Sequence, residues 1–77
     1  MKITVYSTPT CPYCKLVKEF LESRGAEFEV LDVSSDEEAA RDMIEKSGQM
    51  GVPVIEMAGE VVIGFNRSRI TELLDAG

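Results

Sequence analysis

Histidine is absent from this chain of 77 residues, and cysteine occurs only twice. A structural zinc takes four ligands, so one copy of the chain cannot assemble a closed zinc site from a single cysteine pair. Basic residues are also scarce, with 8 Lys and Arg against 14 Asp and Glu and a formal net charge of −6. No Lys/Arg cluster supplies the electrostatic footprint that nucleic acid requires, so nucleic-acid binding is not expected. The acidity reads as a solubility device. No apolar run approaches the ~20 residues of a membrane span, so no membrane partner is expected. Residues 1–4, Met-Lys-Ile-Thr, pass straight into strand pattern without the apolar core of a signal peptide. There are no linkers, repeats or low-complexity stretches. The chain reads as one soluble domain over residues 1–77, in a cytoplasmic setting and with monomer as the expected state.

In such a reducing compartment, a cysteine pair is catalytic, redox-active or metal-binding more often than it is a structural staple. Here the pair is Cys11-Pro12-Tyr13-Cys14, directly after a strand-like run and at the start of a helical pattern. Cysteines at i and i+3 on a first helical turn share a side. That brings their Cα atoms within the roughly 4.4–6.8 Å that a disulfide needs. Cys11 falls where unpaired N–H groups and the positive end of the helix dipole favour a thiolate. Pro12 occupies the first helical position, where a missing N–H costs nothing. The pattern reads as a pair that opens and closes, with Cys11 as attacking thiolate and Cys14 as resolving thiol. Tyr13 lies between them on an exposed turn and is placed to flank a substrate. Lys15 and Lys18 either support the thiolate by charge or are ordinary solvated helix residues.

Around this motif the elements alternate. Residues 2–7 read as a buried strand. Residues 12–24 read as a helix with Leu16, Val17, Phe20 and Leu21 at helical spacing and Gly25 as its stop, and Leu16, Phe20 and Met43 are taken as core. Residues 27–32 alternate Phe28 and Val30 against Glu27 and Glu29, as a strand does. Ser35-Asp36-Glu37-Glu38 reads as a capping box opening a helix that ends at Ser47-Gly48. Residues 52–57 and 61–63 form a hairpin around Ala58-Gly59-Glu60. Asn66 is placed to cap a last helix carrying Ile70, Leu73 and Leu74. The order is βαβαββα: an α/β fold with a four-stranded mixed sheet and three flanking helices, its first two strands parallel and its last two antiparallel.

Pro53 stands at the first residue of a strand, where proline is tolerated. Were the Val52–Pro53 bond cis, Val52 would offer free backbone groups beside the sulfurs, able to pair with an extended substrate segment. A trans strand-entry proline is the alternative. Gly64 is positioned to allow a close backbone approach, and Phe65 forms either an apolar lip for a partner or part of the core.

Taken together, Tyr6-Ser7-Thr8-Pro9-Thr10-Cys11-Pro12-Tyr13-Cys14, Val52-Pro53 and the turn at Gly64 resemble a glutaredoxin over essentially the whole chain. The resemblance implies a thioredoxin fold, a nucleophilic Cys11, a resolving Cys14 and a cis Pro53 beside them. It implies disulfide-containing proteins as substrates, no bound cofactor, and glutathione as the usual reductant. Three departures fall on the glutathione pocket. Thr8 stands where glutaredoxins usually carry a basic residue. Met50-Gly51-Val52-Pro53 replaces their common Arg-Thr-Val-Pro. Gly64-Phe65-Asn66-Arg67 replaces the Gly-Gly-x-Asp turn that holds the γ-glutamyl end. Each lost charge-assisted contact costs about 1.5–3 kcal/mol, so tight conventional glutathione binding is not expected. The Gly64-Phe65 pair instead resembles the ribonucleotide-reductase-associated redoxins, which draw electrons from thioredoxin reductase. Their active-site dipeptide usually differs from Pro12-Tyr13.

Two further functions compete. Cys11 thiolates from two chains can bridge an iron–sulfur cluster or a soft metal, which visible absorbance in anaerobically purified protein would reveal. A non-catalytic adaptor could use the Val52–Pro53 and Phe65 surface, but it would need neither sulfur.

Overall fold

A computed structural model describes residues 2–76; Met1 and Gly77, the ends of the expected 1–77 domain, lie outside the described residues. The elements follow the expected order: β1 (Ile3–Ser7), α1 (Pro12–Ser23), β2 (Glu29–Asp32), α2 (Glu37–Ser47), β3 (Val54–Met57), β4 (Glu60–Ile63) and α3 (Arg67–Ala76). The sheet runs β2-β1-β3-β4. β1 pairs parallel to β2 and antiparallel to β3, and β3 pairs antiparallel to β4. The central strands β1 and β3 are almost wholly buried, while β2 and β4 are edges.

Strand alternation divides the core between the two faces of the sheet. Ile3, Val5, Ile55, Met57 and Val62 meet α1 through Val17 and Leu21, and α3 through Ile70 and Leu73. On the other face Tyr6 and Val54 meet α2 through Ala39 and Met43. The Tyr6 ring is buried, yet its hydroxyl donates to Asp42 and accepts from Lys46 Nζ at 3.4 Å. Lys46 also pairs with Asp42 at 3.1 Å and Glu56 at 2.9 Å, so it ties α2 to β1 and β3. Among the described residues no buried side-chain polar atom lacks a partner.

Three local readings are corrected. The cap of α2 is Asp36, whose carboxylate accepts from the Ala39 amide at 3.1 Å. Ser35, expected to open a capping box, turns back instead: its amide and hydroxyl both donate to the Asp32 carbonyl. Val30, read as an apolar position of a strand alternation, is 41% exposed although it shares the face of its partner Val5, because β2 is a sheet edge with no further strand beside it. Leu16, read as core, is 44% exposed: it sits outside the arc of α1 that carries Cys14, Val17 and Leu21 to the sheet. Asn66 does cap α3, accepting from the Arg69 amide at 3.2 Å.

Candidate functional site

The register carries the candidate residues to one end of the sheet. β1 finishes at Ser7 and delivers the chain to Cys11. Tyr6 faces Val54 on the antiparallel β3, so Val52–Pro53 enters at the end where β1 stops. Val54 in turn faces Ile63, and the Gly64 amide donates to the Pro53 carbonyl at 2.9 Å. Cys11, Val52–Pro53 and Gly64 thus share one end, though they are 53 positions apart at the extremes.

The Val52–Pro53 bond is cis, the form that the resemblance implied. Pro53 is buried and Val52 is half-buried. Gly64 is glycine because its φ is +73°, a conformation L side chains rarely adopt. A Cβ there would meet no atom of the chain itself within 4 Å, so the space beside Gly64 is open on the side of the site.

Cys11 is the residue capping α1. Its amide donates to the Thr8 carbonyl at 3.3 Å, and its Sγ accepts from the Cys14 amide at 3.2 Å. An N–H aimed at sulfur stabilises a thiolate more than a thiol, and the first turn of α1 holds no acidic residue to oppose it. Both cysteines are free; Cys11 is partly exposed, whereas Cys14 is fully buried. Burial pushes the Cys14 thiol up to about 11, and its hydrogen bond with Cys11 adds to the effect. A hydrogen bond from the Thr8 backbone and the charge of Lys18 pull the other way. One sulfur is therefore partly exposed and receives a backbone N–H, and its neighbour is sequestered as a thiol.

That asymmetry has a pH signature. With a folded value of about 11 against the ordinary 9.0, the native state keeps the Cys14 proton where the unfolded chain releases it. The associated stability is intact below pH 9 and is lost as pH rises through 11. Tyr6 is also raised, chiefly by burial, and Lys46 by its hydrogen bonds to Glu56 and Asp42, so both fade in the same direction. The Cys14 share is isolated by comparing the reduced protein with Cys14→Ala. Between pH of about 8 and about 10.5, urea titration of the reduced protein should show about 2 kcal/mol more loss than the variant. Equal losses would mean that burial does not hold the proton.

The remaining candidates differ in exposure. Tyr13 is 61% exposed and free to meet a substrate, and Lys15 is exposed. Phe65 resolves between its two readings: it is half-buried, with its ring edge-on to Phe20 at 6.0 Å between centroids. Phe20, taken as core by its spacing, is half-buried, and Arg67 Cζ lies over its ring at 5.2 Å, a contact the sequence does not reveal. Nothing local signals that contact, because the partners are 47 positions apart. Among the described residues, no group of three or more His, Cys, Asp or Glu side chains is placed to hold a metal ion.

The glutaredoxin family model matches residues 3–62. An uncharacterised glutaredoxin-like 8.6 kDa protein of the rubredoxin operon in Clostridium pasteurianum is 42% identical over 73 residues, covering 95% of this chain and 97% of that protein. The crystal structure of a glutaredoxin from Archaeoglobus fulgidus superposes with a TM-score of 0.84 at 32% identity, covering 94% of this chain and 84% of that one. NrdH-redoxin from Escherichia coli superposes with a TM-score of 0.85 at 32% identity, over 95% of both chains. The thioredoxin fold expected from the sequence is the fold of these structures.

Proposed function

This chain belongs to the glutaredoxin family, and from that premise we propose that it is a thiol–disulfide oxidoreductase, a monomeric single domain that reduces protein or mixed disulfides. The observation that carries the reading is the unequal pair: Cys11 partly exposed and receiving the Cys14 amide at 3.2 Å, Cys14 fully buried. The Cys11 thiolate attacks one sulfur of a substrate disulfide. The substrate S–S bond breaks, a mixed disulfide forms on Cys11, and the first substrate thiolate leaves and takes up a proton. Cys14 then gives up its proton and attacks the Cys11 sulfur. The Cys11–Cys14 bond forms, the second substrate thiol departs, and two electrons have passed from the protein dithiol to the substrate.

Val52 and Pro53 form the ledge against which an extended substrate segment lies, and Gly64 borders it through its bond to the Pro53 carbonyl. Tyr13 and Phe65 supply apolar contact on the helix side. The sheltered position of Cys14 delays the resolving attack until the substrate is bound, since a buried thiol must first lose its proton.

The reductant is tested by NADPH consumption with a protein disulfide as substrate. One arm receives glutathione and glutathione reductase, and the other receives thioredoxin reductase alone. Thr8, Met50 and Arg67 remove the charges that a glutathione pocket uses. E. coli NrdH-redoxin, which is glutaredoxin-like, has a thioredoxin-like activity profile. Turnover is therefore expected in the thioredoxin reductase arm, at about tenfold or more above the glutathione arm, as loss of one or two charged contacts implies. Faster turnover with glutathione would assign the protein to the glutathione-dependent glutaredoxins. Turnover in neither arm would count against the oxidoreductase reading.

A further inference from the structure

The exposed apolar residues of α1 are not accounted for by the disulfide exchange alone. Tyr13 and Leu16, 61% and 44% exposed, lie one turn apart on the same flank of the helix, beginning two positions after Cys11. Phe20, half-buried, continues that flank toward α3, where Phe65 and Arg67 close on its ring. The result is an apolar strip that starts at the reactive sulfur and ends at an exposed guanidinium.

The charge at that end is a local exception in an acidic protein. Arg24, the other cation beside the Phe20 ring, is occupied by Asp75 at 2.8 Å, and Arg69 by Glu60 and Glu72. Among the described residues no carboxylate pairs with Arg67. Neither α1 nor α3 has an acidic residue in its first turn. An exposed cation stacked on an aromatic face and lacking a carboxylate partner is held in place and open to an incoming carboxylate.

We infer that the strip Tyr13–Leu16–Phe20, ending at Arg67, is a docking surface for a protein segment that carries an apolar side chain next to its disulfide and a carboxylate beyond it. The inference rests on the oxidoreductase reading and names its substrate class. Overall charge argues in the opposite direction, because a chain of net charge −6 attracts basic partners at long range. A preference for acidic segments is thus a signature of this local surface.

The test uses two synthetic peptides with the same internal disulfide and the same apolar residue, flanked in one by Asp and in the other by Lys. Pre-reduced protein is mixed with each in a single turnover, quenched with acid and scored by mass. The protein's own dithiol supplies the two electrons, so no external reductant enters. Replacing Arg67 by Glu should lower the ratio of acidic-peptide to basic-peptide rate constants by about tenfold at low salt, and by less at about 0.5 M salt. Replacing Arg41, exposed on α2 across the sheet, makes the same change in net charge and should move the ratio by less than about twofold. Equal shifts in Arg67→Glu and Arg41→Glu would overturn the docking surface in favour of net charge alone. If the unaltered protein reduces neither peptide, the oxidoreductase reading falls, and this inference with it.

Discussion

Replacement of Cys11 by serine is expected to reduce disulfide turnover to the rate of the protein-free control, a loss of at least about a thousandfold. The reason lies in the difference between the two cysteines. Cys11 is partly exposed, caps α1, and receives the Cys14 amide. A serine hydroxyl in that place keeps the hydrogen bond but is not ionised near neutral pH and cannot form a disulfide. Cys14 cannot take over, because it is fully buried and its thiol is pushed up to about 11. Cys14→Ser gives the complementary result. Attack by Cys11 survives, resolution does not, and a protein substrate stays attached as a mixed disulfide visible by mass. Coupled turnover and intact-mass measurement on the two variants distinguish the roles. Residual catalysis in Cys11→Ser, or trapping by that variant rather than by Cys14→Ser, would reverse or remove the assignment.

The parts of this arrangement that the sequence exposes are those with a local cause. The cysteine pair announces itself by spacing, the helices by their period and caps, and the β3–β4 hairpin by its Ala58-Gly59 turn, where both residues take positive φ. The cis state of Val52–Pro53 was not fixed by spacing; only the resemblance pointed to it. What stayed hidden depends on where an element sits in the assembled fold. Alternation along β2 does not reveal that it is an edge, so Val30 shares the face of its partner Val5 yet stays 41% exposed. Adjacent Ser35 and Asp36 are both good caps; the Asp32 carbonyl accepts from both amides, but only Asp36 turns its side chain to the Ala39 amide, while the Ser35 hydroxyl points back to Asp32. The bond between the Tyr6 hydroxyl and Asp42 joins residues 36 apart, and the meeting of Arg67 with Phe20 spans still more chain. No periodicity records such contacts. They arise when α2 and α3 settle on opposite faces of the sheet.

A direct measure of that limit is a pair of leucines that read alike as apolar core positions of α1. The apolar pattern of α1 includes both Leu16 and Leu21, although five residues set them about 140° apart round the helix. Leu21 is nevertheless fully buried among the residues facing α1 and α3, while Leu16 is 44% exposed. Leu21→Ala removes buried methyl and methylene groups from a packed core and leaves a cavity, so it should cost about 3–4 kcal/mol. For a domain of this size, total stability is about 4–12 kcal/mol. The melting temperature should therefore fall by about 12–30 °C, enough to leave a marginal protein partly unfolded at room temperature. Leu16→Ala opens no cavity and exchanges one good helix former for a better one, so its effect on stability should stay within about 0.5 kcal/mol. Thermal and urea unfolding of the two variants under reducing conditions provides the comparison. A large loss for Leu16→Ala would place that side chain in the core after all, and would remove the apolar strip beside Cys11. A small loss for Leu21→Ala would mean that α1 is not packed on the sheet through this face. If the leucines separate as expected, Leu16 is left with no stabilising duty, and its exposure beside the reactive sulfur is explained by what docks there.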